Sequence, residues 1–214
     1  MRLTSAALLT VLAVQPALAA QLPPGFVRLA DVAPAIAQDM RYAGPDNFTG
    51  APVPGYRAAQ CWLRAEAAAA LAEAQADAAA QGFGLVVYDC YRPKRAVAAF
   101  VAWSQNSDQR TKAGYYPSVE KRSLFAYGYI AAQSSHSTGL AVDLGVKGWD
   151  FGAPFDFFDP SSWTASHTRA DAAANREKLV ALMRRHGFVN YPREWWHFNF
   201  VKAASAGSFD VEIE

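Results

Sequence analysis

Ser134-Ser135-His136-Ser137-Thr138-Gly139-Leu140-Ala141-Val142-Asp143-Leu144-Gly145-Val146 is the stretch on which the fold reading turns. Gly139 divides it. Beyond the glycine, residues 140–146 are apolar apart from Asp143, as expected of a short strand. An unpaired carboxylate in such a run is costly to bury, and a metal ion would remove that cost. A second stretch, Glu194-Trp195-Trp196-His197, completes the set: two imidazoles, one carboxylate suited to a metal and one suited to take a proton. Zinc held by three protein ligands, with a fourth position open to water, makes a hydrolytic site. His136 and Asp143 are seven apart and Glu194 and His197 three apart. Neither pair has the i, i+4 spacing that sets two ligands on one helical face. Strands and loops must build any such centre.

Working outward, the chain has 214 residues, with 20 basic and 19 acidic side chains. Arg2, the apolar run from Ala6 to Val14 and the small-x-small site Ala17-Leu18-Ala19 form the pattern of a cleaved signal peptide over residues 1–19. It is too short to span a bilayer. The remaining residues, 20–214, make one domain, periplasmic or secreted. Without Arg2 the basic and acidic side chains balance, so nothing favours nucleic acid or an anionic membrane as partner. Two cysteines in an exported chain, Cys61 and Cys90, point to a disulfide, with two buried thiols as the alternative.

The alanine-rich stretch from Trp62 to Gln81 predicts a helix, stopped by Gly82. Leu85–Asp89 predicts a buried strand, and Arg95 to Ser104 a helix begun by Pro93. Arg169 to His186 predicts a further helix, ended by Gly187. Phe188–Tyr191 and Trp195–Val201 predict two strands turning at Pro192-Arg193, and Asp39–Ala43 a short strand. Residues 105–133 carry no assignable pattern, and 148–163 reads as a structured loop. Helices and strands alternate irregularly, which argues for an α+β fold.

Five blocks together resemble the D-alanyl-D-alanine dipeptidases of the vancomycin-resistance type, zinc peptidases related to the LAS peptidases. They are Met40–Ala43 with Asp46–Gly50, Asp89–Pro93, Ser134–Asp143, Phe155–Asp159 and Glu194–His197. The resemblance covers residues 26–201. It implies a single α+β domain whose central antiparallel sheet, flanked by helices, carries the zinc site. It implies one zinc per subunit, held by His136, Asp143 and His197, with Glu194 as catalytic base and Arg92 steadying the oxyanion. Tyr42, Ser134 and Asp156 fall where the family holds the free amino end of a small D-amino-acid dipeptide. Thr138 stands where the resistance enzymes are expected to carry Arg, which leaves substrate preference open.

Each residue also has a plainer reading. His136 alone is a capped loop histidine, Glu194 a partner for Arg193, and Arg92 a clamp for Asp89. Tyr42 is core, and Asp156 caps or pairs locally. His167 and His186 match no block and read as structural. Trp195 and Trp196, as strand neighbours, face opposite ways, one to the core and one to the cleft. Two other functions use the same residues. One is a D,D- or L,D-carboxypeptidase acting on peptidoglycan stems, the other a wall-peptide-binding module with structural zinc.

Overall fold

The computed structural model describes residues 22–204 and 207–214, so the expected signal peptide lies outside the described residues. The centre of the fold is β5, Ala141–Val146, buried along its whole length. Its neighbours are β4, Leu85–Asp89, and β7, His197–Phe200, both antiparallel to it. β6, Phe188–Asn190, pairs outside β7, and β2, Ala37–Gln38, outside β4. The expected antiparallel sheet holds for four strands, while β2 joins the edge in parallel.

Side-chain alternation gives this sheet two different faces. Val142, Leu144 and Val146 enter the core with Leu71 of α2, Ala65–Ala80, and Leu179 and Met183 of α5, Ala170–Arg185. Alanine at the buried positions 67, 68, 74 and 78 lets α2 approach closely. Gly82, at φ +83°, ends α2, with Phe83 N–H donating to the Ala78 carbonyl and Gly82 N–H to that of Ala79. Asp143 alternates to the opposite face.

Register brings three titratable side chains to one level. Asp89 pairs with Asp143, and Asp143 with His197, across three adjacent strands. A bulge between Val87 and Asp89 makes this possible. Val87 lies opposite Leu144, whose side chain faces the helices; the extra residue, Tyr88, turns Asp89 to the face of Asp143.

Three expected elements differ. The helix expected from Trp62 begins at Ala65; Trp62–Arg64 is β3, paired with β1, Phe26–Arg28. Trp62 and Leu63 are fully buried, and burial in this ribbon outweighs continuation of the alanine helix. Only Ala37–Gln38 of the Asp39–Ala43 neighbourhood is strand, and Arg41–Ala43 is a 3₁₀ turn that lowers Tyr42 into the interior. Trp195 and Trp196 precede β7 in a turn, where the Trp196 carbonyl accepts from Leu144 N–H. α1, Leu29–Val32, and α4, Lys112–Tyr115, are single turns. α3, Lys94–Gln105, matches its expected span within a residue at each end.

Cys61, before β3, and Cys90, after β4, stand in bonding geometry with Cα atoms 5.3 Å apart. The closed loop spans 29 residues. Closing such a loop stabilises by about 3–4 kcal/mol in the chain-entropy account. A Cys61→Ala/Cys90→Ala variant is expected to melt roughly 10 °C lower in calorimetry, and reductant should lower the wild type to the same temperature.

Candidate metal centre and active site

The strand register puts Asp143 and His197 side by side, and the 3₁₀ turn Ser135–Thr138 adds His136. Ser134 caps that turn, its hydroxyl accepting from His136 N–H. Gly139 closes it at φ +75°; a side chain there would collide with the Phe26 ring, so only glycine fits between the turn and β5.

Three donor atoms converge. His136 Nε2 lies 3.2 Å from Asp143 Oδ1, and His197 Nδ1 3.0 Å from that same oxygen. The two ring nitrogens are 3.1 Å apart. A tetrahedral ion with bonds of about 2.0–2.2 Å sets its donors ~3.3 Å apart. The triangle is therefore the size of one face of such a coordination sphere. Among the described residues this is the cluster able to hold a metal. The opposite nitrogen of His136, Nδ1, lies 2.6 Å from the Cys90 carbonyl. That contact fixes the proton on Nδ1 and leaves the Nε2 lone pair facing the cluster, as a metal-ligating imidazole requires. The donors present fit zinc. Burial opposes the charge of Asp143, but His136 and His197 hold its carboxyl well below the usual range.

Glu194 sits in the turn before β7, its carboxylate 3.8 Å from His197 Nδ1. Burial pushes its carboxyl up to about 7, against the opposing pull of His197 and Arg92. Arg92 follows β4 and is paired with the fully buried Asp89 at 2.8 Å. Its guanidinium also lies 3.6 Å from Asp143 Oδ2 and over the rings of Tyr42 and Phe100. Asp89 is held on its other side by the Tyr56 hydroxyl, 2.7 Å away. Thus Asp89 does clamp Arg92, and the clamped guanidinium still faces the cleft.

The far end of the cleft is built from the 148–163 loop. Arg176, buried in α5, donates to the carbonyls of Phe151, Ser161 and Trp163 and holds that loop in shape. Within it Asp156 adopts φ +59°, a strained conformation for a residue with a side chain. Its carboxylate accepts from the Tyr42 hydroxyl at 2.8 Å. Burial, and then the charge of Asp143, push the Asp156 carboxyl well above its ordinary range.

All eight residues singled out in the sequence line one cleft of about 320 Å³: Tyr42, Arg92, Ser134, His136, Asp143, Asp156, Glu194 and His197. Trp196 lines it too, while Trp195 stacks on Phe151 beneath. His186 instead reaches Asp77 on α2, and His167 is exposed. Tyr129, expected from the sequence as core or cleft lining, stands in the cleft wall, while sequence reading missed Gln133, Tyr191 and Asn199 there. Gln133 and Tyr191 lie in irregular segments and Asn199 inside β7, with no sequence pattern of their own.

Comparison with known proteins then places the chain. The profile of the peptidase M15 family, described as D-ala-D-ala dipeptidase, matches residues 23–212. The chain belongs to this family. It is 43% identical over 168 residues to a D-alanyl-D-alanine dipeptidase of Streptomyces coelicolor, covering 75% of this chain and 83% of that one. Dipeptidases of Enterococcus faecalis and Enterococcus faecium are 42% and 40% identical. The former match covers 83% of this chain and 92% of the relative, the latter 81% and 90%. Membership makes this chain a metallopeptidase-class hydrolase.

One transition-metal ion per chain is the expected content of the purified protein by elemental analysis. His136→Ala and His197→Ala should each lower it to a small fraction while the protein stays folded by circular dichroism.

Proposed function

We propose that this chain is an exported zinc dipeptidase that hydrolyses D-alanyl-D-alanine to two molecules of D-alanine. The carrying observation is a single cleft that joins the metal-ligand cluster, a buried carboxylate and guanidinium, and the Asp156–Tyr42 pair. The names of the relatives supply the substrate class.

His136, Asp143 and His197 would hold the zinc, which when bound activates water and polarises the peptide carbonyl. Glu194 accepts a proton from the attacking water and delivers it to the departing amine. Its burial beside the ligand cluster holds it at hand for both transfers. Arg92, fixed by Asp89 and two aromatic rings, presents N–H groups to the oxyanion that develops on the carbonyl. Its orientation is set before the substrate arrives, so little reorganisation accompanies the reaction.

Asp156 and Tyr42 take the substrate's free ammonium. A carboxyl buried at the end of the cleft with no cation paired to it, facing the negative charge of Asp143, favours a cation beside it. An acylated amine leaves that carboxyl without its partner, and the site rejects it. Ser134 caps the His136 turn and lies 3.5 Å from Arg92 Nη1, on the cleft wall between the metal cluster and the guanidinium.

Export rests on the charge and apolar pattern of residues 1–19 and on the paired cysteines. Outside the cytoplasm the enzyme would consume wall-derived dipeptide without competing with wall synthesis. Fractionation with an intact leader should place the protein outside the cytoplasm, and retention within it would remove that role.

The direct test is release of D-alanine from D-alanyl-D-alanine by zinc-loaded protein, abolished by chelator. Glu194→Gln should keep the metal and lose at least ~10³ in kcat, since it removes the proton carrier. Cleavage of stem peptides with no action on the dipeptide would replace this reading with a carboxypeptidase. Unchanged activity in Glu194→Gln would leave the zinc structural.

The amino-end clamp has its own signature. Asp156→Asn should raise KM for the dipeptide by roughly 10² while changing kcat less, because it removes binding to a group remote from the scissile bond. Steady-state kinetics at saturating zinc measure both.

A further inference from the structure

The cleft wall that carries Gly128, Tyr129, Ile130 and Gln133 is anchored at its two ends. Tyr129 N–H and Ile130 N–H both donate to the carbonyl of buried Leu124. Beyond the wall, the capped turn at Ser134 leads into His136. Between these anchors residues 131–133 are exposed and carry no helix or strand.

The turn that carries Glu194 reaches across to this wall. Arg193 Nη1 donates to the Tyr127 carbonyl at 2.6 Å, and the Tyr191 hydroxyl to the Gly128 carbonyl at 3.4 Å. Arg193 also lies over the Trp163 ring, 5.6 Å from its centre, so its guanidinium is supported from below. Gly128 has φ +75°, and a side chain there would meet Arg193 Nη1 at 3.1 Å and Tyr191 Oη at 3.5 Å. Glycine at 128 takes this left-handed conformation without strain and leaves room for both side chains to reach the wall backbone. Tyr191, Glu194 and Gly128 all line the cleft, so these two contacts join its rims.

Resting on the dipeptidase reading above, we infer that Arg193 and Tyr191 are specificity-determining residues, which latch the 127–133 wall over the cleft and limit the substrate to two residues. Arg193 makes neither the metal cluster nor the ammonium clamp; it acts through the wall and is a positioning residue. A longer peptide must pass between the rims that the latch joins. Releasing the latch widens that passage, and leaves a dipeptide less enclosed.

The test compares kcat/KM for D-alanyl-D-alanine with that for peptides extended at either end, N-acetyl-D-alanyl-D-alanine and D-alanyl-D-alanyl-D-alanine, in zinc-loaded wild type, Arg193→Ala, Arg193→Lys and Tyr191→Phe. Metal content and melting temperature are measured on each. Wild type is expected to favour the dipeptide strongly. Arg193→Ala should raise the extended-to-dipeptide ratio at least tenfold for one of the extended peptides, with KM for the dipeptide rising more than kcat falls. Arg193→Lys should restore part of the discrimination, and Tyr191→Phe should show the same shift more weakly. A ratio unchanged within twofold in Arg193→Ala of normal metal content and melting temperature overturns the latch and leaves the dipeptidase reading intact. Loss of metal, or a fall in kcat alone, assigns Arg193 to the support of Glu194 and His197 and also overturns it. Wild type that prefers an extended peptide overturns the latch and the dipeptidase reading together.

Discussion

The structure depends on a row of titratable side chains at one level of the sheet: Asp89, Asp143 and His197 on three neighbouring strands. Register is an all-or-none property, because a slip of one residue sends every side chain to the opposite face. The apolar alternation of β5 against α2 and α5 therefore does more than fill the core. It commits Asp143 to the face away from the helices, and the Tyr88 bulge then brings Asp89 to the same face. Hydrophobic burial, the largest favourable contribution to folding, is what places a chemically costly group where it is needed.

That cost is met by mutual compensation. Asp89, Asp143 and Asp156 are buried, and Glu194 lies beside them nearly so. Arg92 is the guanidinium set among them. Burial of several carboxyls against one fixed cation disfavours their charged forms, a cost that protonation or added positive charge offsets. The cluster of His136, Asp143 and His197 has the dimensions to hold a metal ion, and Asp156 has the position to hold an ammonium. The same electrostatic deficit thus favours cofactor at one end of the cleft and substrate at the other. Asp89 belongs to this account although it binds neither: it fixes the guanidinium directly, at 2.8 Å.

Much of this was legible in the sequence because it is local. The alanine spacing of α2, the apolar runs of β4 and β5 and the glycines after α2 and α5 each write their structure into consecutive residues. The site residues were legible as blocks, and the fold brings all eight to one cleft. What escaped was set by tertiary pairing. Trp62–Arg64 became a strand because β1 lay alongside it, against the helical preference of the residues that follow. The bulge at Tyr88 has no mark in Leu85–Asp89. The contacts of Tyr191 and Arg193 are made to carbonyl groups, which every residue carries, so no side-chain pattern betrays their partners.

The division between face and rim explains how one scaffold separates chemistry from selectivity. The candidate metal ligands stand on strands and on a capped turn, positions that cannot shift without moving the core. The 148–163 loop is nearly as firm, since a buried guanidinium, Arg176, satisfies three of its carbonyls at once and lets Asp156 keep a strained backbone. The 127–133 wall is tied to the Leu124 carbonyl and held across the cleft by side chains of the turn that carries Glu194. On the latch proposal, changes there alter what can enter without disturbing the donor triangle, whereas changes in β5 or β7 would disturb both. Reach is therefore set by the weakest-held part of the cleft, and reactivity by the strongest.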